Sequence, residues 1–181
     1  MMHTRSGIER SVPGSLESMK WIPDGKDEKI EISEVAQMAE SFDRGELIRR
    51  ALEKQGMAYA PYSKFYVAAA VLTESGEIYT GVNVENASYP AGTCAERNAI
   101  ETAVACGERK ITAIAIAGGK NGTHRKYCVP CGVCRQVMRE FCNPEEMRVL
   151  LAKTAEEYLE MTLEELLPMS FGPEELLGEQ E

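Results

Sequence analysis

A chain of 181 residues, 44% of them hydrophobic, can bury one sizeable core and still leave length for an appendage. Its 20 Lys and Arg against 29 Asp and Glu give a formal net charge of -9, which argues against tracking phosphate backbones or anionic membranes. Neither a nucleic acid polymer nor a membrane is therefore expected as a partner.

The opening Met1-Met2-His3-Thr4-Arg5-Ser6 lacks the apolar run of a signal peptide, and no segment is long enough to span a bilayer. The expected compartment is the cytoplasm. There the six cysteines need not form a disulfide framework. The acceptor patterns Asn86-Ala87-Ser88 and Asn121-Gly122-Thr123 should stay unmodified.

In chain order, residues 1–42 read as a partly ordered N-terminal extension, with a patch at Trp21-Ile22-Pro23 and a short helix over Ser33–Phe42. The folded domain is expected over 43–181. A helix runs from Asp43, where Asp-x-x-Glu46 resembles a capping box, to Gly56, with Leu47, Ile48, Ala51 and Leu52 on one face. Strands over Tyr66–Thr73 and Glu77–Val82 flank the hairpin turn Glu74-Ser75-Gly76. Cys94–Cys106 is an alanine-rich helix, and Ile111–Ala117 is apolar throughout, as in a strand covered on both faces. A loop over Gly118–Val129 leads to a helix over Cys131–Phe141, a strand over Met147–Ala152 and a short helix over Leu163–Leu167. Gly118-Gly119-Lys120 lacks the ending of a phosphate loop. This order suggests an α/β sandwich with a mixed sheet, whose Ile111 and Met147 strands run parallel.

Chemistry concentrates in Thr93-Cys94-Ala95-Glu96-Arg97 and Pro130-Cys131-Gly132-Val133-Cys134-Arg135. Cys131 and Cys134 have a zinc spacing, and a third thiolate from Cys94 leaves one tetrahedral corner open, the layout of a catalytic zinc. Glu96 is placed to handle protons there, which points to a hydrolytic zinc enzyme. Cys94 and Glu96, two apart, converge on a metal only if it lies off the helix end. Three thiolates on zinc carry a formal charge of about -1. Helix N-termini offset part of it, ~0.3–1 kcal/mol each, and Arg97 and Arg135 could hydrogen-bond the sulfurs. Three other readings stand beside this one. Thr93-x-x-Glu96 is itself a capping box. Cys128, Cys131 and Cys134 form part of an iron–sulfur run, although the next cysteine would fall at Met138. Cys128 could also close a four-cysteine structural zinc.

Gly81-Val-Asn-Val-Glu-Asn-Ala-Ser-Tyr-Pro90, Thr93-Cys-Ala-Glu-Arg97 and Pro130-Cys-Gly-Val-Cys-Arg-Gln136 resemble the cytidine deaminase family, in its small, three-cysteine, homotetrameric branch. Ala60-Pro-Tyr-Ser-Lys-Phe65 and Leu167-Pro-Met-Ser-Phe-Gly-Pro173 extend the resemblance over roughly Asp43 to Leu176. The chain departs from the family at Ala68, where glycine is common, at the added thiol of Cys128, and in its first forty residues.

The resemblance implies a three-layer α/β/α sandwich and one zinc ion (Zn2+) held by Cys94, Cys131 and Cys134. It implies deamination of cytidine and 2'-deoxycytidine to uridine and 2'-deoxyuridine, in pyrimidine salvage, with Glu96 as proton shuttle and zinc-activated hydroxide attacking C4. Asn83 and Glu85 would hold the ribose, Phe65 would wall the nucleoside and Ala95 would join the substrate-binding set. Tyr89 and Phe171 would come from neighbouring subunits of a homotetramer. The apolar residues Ala95, Ala99, Ile100, Ala103 and Val104 on the Cys94 helix are expected to serve both core and subunit interface. Two alternatives share the cysteines: a deaminase of another aminopyrimidine nucleoside such as blasticidin S, and a non-enzymatic zinc module needing no Glu96.

Overall fold

The computed structural model describes residues 42–177. The expected Trp21 patch and all but the last residue of the Ser33–Phe42 helix lie outside them. Helix α1 (Arg44–Lys54) is capped by Asp43, whose side chain accepts from the Glu46 backbone N–H at 2.9 Å. Its Leu47, Ile48 and Ala51 are fully buried.

Strands β1 (Phe65–Thr73) and β2 (Ile78–Val82) form the expected antiparallel hairpin. Then come α2 (Ala95–Ala105), β3 (Ile111–Lys120), α3 (Gly132–Glu140), β4 (Arg148–Ala152) and β5 (Tyr158–Thr162), and two short helices, α4 (Leu163–Leu166) and α5 (Glu174–Leu177). The five strands make one sheet in the order β2-β1-β3-β4-β5. The pair β3–β4, joined through α3, is parallel; the other pairs are antiparallel.

Two features differ from the sequence expectation. β3 continues through Gly118, Gly119 and Lys120, which pair with Val67, Tyr66 and Phe65. Glycines that read as a loop are needed inside the sheet, because a Cβ on Gly119 would stand 1.6 Å from the Thr123 carbonyl oxygen. β5 was not anticipated. It is an edge strand whose Leu159 and Glu160 are exposed, so Tyr-Leu-Glu-Met-Thr carries little alternating signal.

The sheet is covered on both faces. Val67, Ala69 and Val71 of β1, Ile114 and Ile116 of β3, and Val149 and Leu151 of β4 pack under α2 and α3. The opposite face, largely alanine (Ala70, Ala113, Ala115, Ala117, Ala152), packs under α1. Three layers result, with α2 and α3 side by side.

On α2, the residues Ala95, Ala99, Ile100 and Ala103 are all 0% exposed in their own core. Four residues of the stripe expected to serve core and interface alike therefore lie in the chain's own core, and Val104 is half-buried against it. The close seat of α2 on the sheet depends on Gly81. A Cβ there would stand 2.3 Å from the Ala99 nitrogen and 2.6 Å from the Ala95 carbonyl oxygen. Because both atoms are helix backbone, Gly81→Ala should push α2 off β2. The expected loss is ~1–3 kcal/mol of stability, read as a lower urea midpoint with an unchanged slope; an unchanged midpoint would refute this packing argument.

Candidate active site

Both metal-bearing stretches end as helix caps. Cys94 is the N-cap of α2 and Cys131 the N-cap of α3, each with extended backbone and no side-chain capping bond. Their sulfurs are thereby left free, beside first-turn N–H groups that favour negative charge. Cys134 lies in the first turn of α3 and is fully buried.

The three sulfurs lie within 4.8 Å of one another, and Cys131 Sγ is 3.5 Å from Cys134 Sγ. A tetrahedral zinc with ~2.3 Å bonds holds its sulfurs about 3.8 Å apart, so small adjustments would seat the ion. A hydrogen bond from Cys134, helped by Cys131 and the Arg97 charge, lowers the Cys94 thiol to about 5. Giving that bond, together with burial, raises Cys134. A cation would displace the remaining thiol protons. Cys128 is pushed up to about 12 by burial first, then by the Glu96 and Cys94 charges. It stands outside the convergent cluster, which is Cys94, Cys131 and Cys134.

Glu96 occupies the second position of α2 and is 4% exposed. Burial raises its carboxyl pKa and the Cys94 charge adds to this, while its own backbone N–H and Cys134 pull the other way. The capping-box reading fails here. Thr93 lies one residue before the N-cap, and its backbone exchanges two hydrogen bonds with Val84 at 3.0 Å. Arg97 donates from Nη2 to the Gly92 carbonyl at 3.0 Å, and its buried Nε has no hydrogen-bond partner. An unpaired cationic donor beside three sulfurs fits a site built for excess negative charge. Arg135 donates to the Pro130 and Leu166 carbonyls at 2.9 and 2.6 Å, and so braces the entry of α3 against α4.

A cleft of about 570 Å³ opens beside Cys94, with Tyr62, Asn83, Glu85, Tyr89 and Thr93 on its walls. Asn83 accepts from the Val67 N–H and donates to the Phe65 carbonyl, each at 2.8 Å, so its amide continues the β1–β2 ladder past the end of β2. Glu85 Oε2 accepts from the Tyr62 and Ser63 N–H groups at 2.9 and 3.2 Å. The Ser63 side chain first, then these amides, holds the Glu85 carboxyl below its ordinary pKa. Tyr89, 79% exposed, meets Tyr62 edge-on with ring centroids 6.4 Å apart. Phe65 is partly exposed, while Ala95 is fully buried under the first turn of α2.

Phe171 does not join this cleft. It is exposed beside α3, where its carbonyl accepts from Gln136 at 3.0 Å, and it lines a separate hollow with Glu140 and Leu176. The donors of Tyr62 and Ser63 to Glu85 were missed from sequence; backbone amides carry no residue-specific signal.

The sequence profile of the cytidine and deoxycytidylate deaminase zinc-binding region matches residues 43–150. A cytidine deaminase of Halalkalibacterium halodurans is 41% identical over 135 residues, 75% of this chain and 98% of that protein. The crystal structure of a Burkholderia pseudomallei cytidine deaminase superposes with a TM-score of 0.63 at 41% identity, over 70% of this chain and 97% of that one. The cytidine deaminase structure from Mycobacterium tuberculosis gives 0.63 at 34% identity, over 73% and 99%.

Because Cys128 lies outside the cluster, Cys128→Ser should retain about one zinc per chain by metal analysis, whereas Cys134→Ser should lose it. Loss of stoichiometric zinc in Cys128→Ser would contradict the ligand set.

Proposed function

Because the chain belongs to the cytidine deaminase family, with cytidine deaminase activity and a zinc-binding cysteine triad, we propose how its residues divide the work of hydrolysing cytidine and 2'-deoxycytidine. The observation that carries the reading is Glu96, the one buried carboxyl among the described residues, which stands two residues from Cys94 of the triad and has its pKa raised by burial. A structural zinc module has no use for such a group; a hydrolase needs it to move protons near neutral pH.

Cys94, Cys131 and Cys134 hold the zinc, which when bound acts as a Lewis acid and makes a nucleophile available from water near neutral pH. Glu96 takes a proton from the attacking water and gives it to N3 of the pyrimidine, so that C4 becomes electrophilic. The water oxygen bonds to C4, and Glu96 relays the second proton to the amino group. The C4–N4 bond breaks, ammonia leaves and uridine remains. Arg97 offsets thiolate charge. Asn83 and Glu85 receive the sugar, Phe65 walls the nucleoside, and Ala95 lines the base pocket at the start of α2. The roles of Asn83 and Glu85 are supported by their place on the walls of the cleft beside Cys94 and by the lowered pKa of Glu85. Those of Phe65 and Ala95 are carried over from the family motifs.

We assign the catalytic domain to residues 43–181 and treat 1–42 as an extension to it. The active unit is a homotetramer in which Tyr89 and Phe171 complete neighbouring sites. The exposure of Phe171, which lines a hollow other than the cleft beside Cys94, supports this, as does the high exposure of Tyr89 on the wall of that cleft. Among the described residues no helix is long and apolar enough to cross a membrane. A reducing cytoplasm suits a site built from free cysteines.

Glu96→Gln should keep zinc and fold while losing ~10²–10⁴-fold in turnover. Near-original deamination of cytidine by that variant would remove Glu96 from the chemistry. The shared site calls for complementation. Glu96→Gln and Phe171→Ala chains, each poorly active, are dissociated, mixed and reassembled. Activity should rise well above the sum of the parents, since some sites then combine an intact Glu96 with a neighbour's intact Phe171. Verified mixed tetramers showing only that sum would rule out Phe171 acting in trans.

A further inference from the structure

Arg135 stands near the start of α3, one residue after Cys134, and is half-buried. It donates from Nε to the Pro130 carbonyl at 2.9 Å and from Nη1 to the Leu166 carbonyl at 2.6 Å. Both acceptors are backbone oxygens rather than the sulfurs that the sequence suggested. The Leu166 carbonyl ends α4, where the last carbonyls of a helix lack intrahelical partners. That helix is itself a fixed point. Thr162 and Glu165 cap it reciprocally, the Leu163 N–H donates to the Met147 carbonyl at 3.2 Å, and Leu163 is fully buried. The Pro130 carbonyl belongs to the peptide that leads into Cys131. A peptide is planar, so holding its oxygen also fixes the direction in which Cys131 leaves it.

The three cysteines of the triad differ in what holds them. Cys134 is buried and Cys94 half-buried, but Cys131 is exposed. As an N-cap without a capping bond, Cys131 takes its place from its backbone rather than from packing. We propose that Arg135 is a positioning residue for Cys131: it clamps the Pro130–Cys131 peptide to the end of α4 and so sets where the exposed sulfur stands. The proposal rests on the reading of Cys131 as a zinc ligand. Arg135 acts here by geometry and not by its charge on the thiolates, which separates it from Arg97, whose buried Nε has no hydrogen-bond partner. A planar guanidinium sends two N–H groups to two carbonyls along fixed directions; a lysine ammonium keeps the charge but loses the fork. Outer contacts that orient a ligand are worth about 10–100-fold in metal affinity.

Two measurements test this: zinc transfer from the loaded protein to an excess of a chromophoric chelator, and the absorption spectrum of the cobalt(II)-loaded protein. The variants are Arg135→Gln, Arg135→Lys, Gln136→Ala and Cys131→Ser, each with its thermal midpoint. Arg135→Gln should release zinc about tenfold faster and change the shape of the cobalt d–d bands. Arg135→Lys should do the same, and carries the test alone if Arg135→Gln fails to fold. Release within about twofold of the original rate in Arg135→Lys would show that charge suffices and would overturn the proposal. Gln136→Ala, on the same helix, removes a bond to the Phe171 carbonyl but none to the Pro130–Cys131 peptide, and should leave release within about twofold. Equal acceleration in Gln136→Ala would mean a general loosening of α3, which also overturns the proposal. Cys131→Ser should lose stoichiometric zinc. If it keeps zinc at the original release rate, the ligand reading fails and the proposal with it; if it loses zinc while both Arg135 variants release at the original rate, only the proposal fails.

Discussion

No single helix can offer Cys94, Cys131 and Cys134 to one cation from an open side, so the fold has to bring two helix ends to one point. The sheet does this by laying α2 and α3 on the same face, with α2 following the β2 edge and α3 crossing from β3 to β4. Sulfur then stands at the N-cap of each helix, where serine or aspartate would otherwise satisfy the first-turn amides. Giving up those caps costs about 1 kcal/mol each. What the site gains is two positive helix ends beside thiolates, together with an arginine whose Nε is otherwise unpaired.

Two carboxyls near this point are driven in opposite directions. Glu96 is buried against the sheet, and desolvation raises it. Glu85 stands in the open cleft, held by a serine side chain and two backbone amides that lower it. One environment favours a held proton and the other a retained charge, so that burial and donors rather than residue type separate the two carboxyls. The short bridges that link Tyr59, Val84 and Thr93 fix the distance between the two environments. Each of them is backbone to backbone and lies outside the five-stranded sheet.

Much of this was legible in the sequence, because strong local signals agreed with the global fold. The Asp43 cap, the Glu74–Gly76 turn and the apolar Ile111 strand all appear where expected. The cysteine spacing brought the triad into view before any fold was known. Three things were not legible. β5 has too few buried positions to show a period of two. Gly118 and Gly119 signal a turn by composition, although here they admit neighbouring atoms within the sheet. The apolar stripe of α2 gives no sign of whether it faces a core or a partner; only the contacts show that Ala95, Ala99, Ile100 and Ala103 are buried in the chain's own core.

The C-terminal segment presses the same point from the other side. Arg139 is 7% exposed; it pairs with Glu174 and donates to Ser170 Oγ at 2.9 Å. Gly172 lies against that guanidinium so tightly that a Cβ would overlap it. A buried cation is costly unless its donors are satisfied, so this arrangement persists because several partners satisfy it at once. What they hold in place is a short stretch that carries the exposed Phe171 and Met169. One buried guanidinium, paired with a half-exposed carboxylate, thus orders a stretch whose large apolar residues are left at the surface rather than in the core.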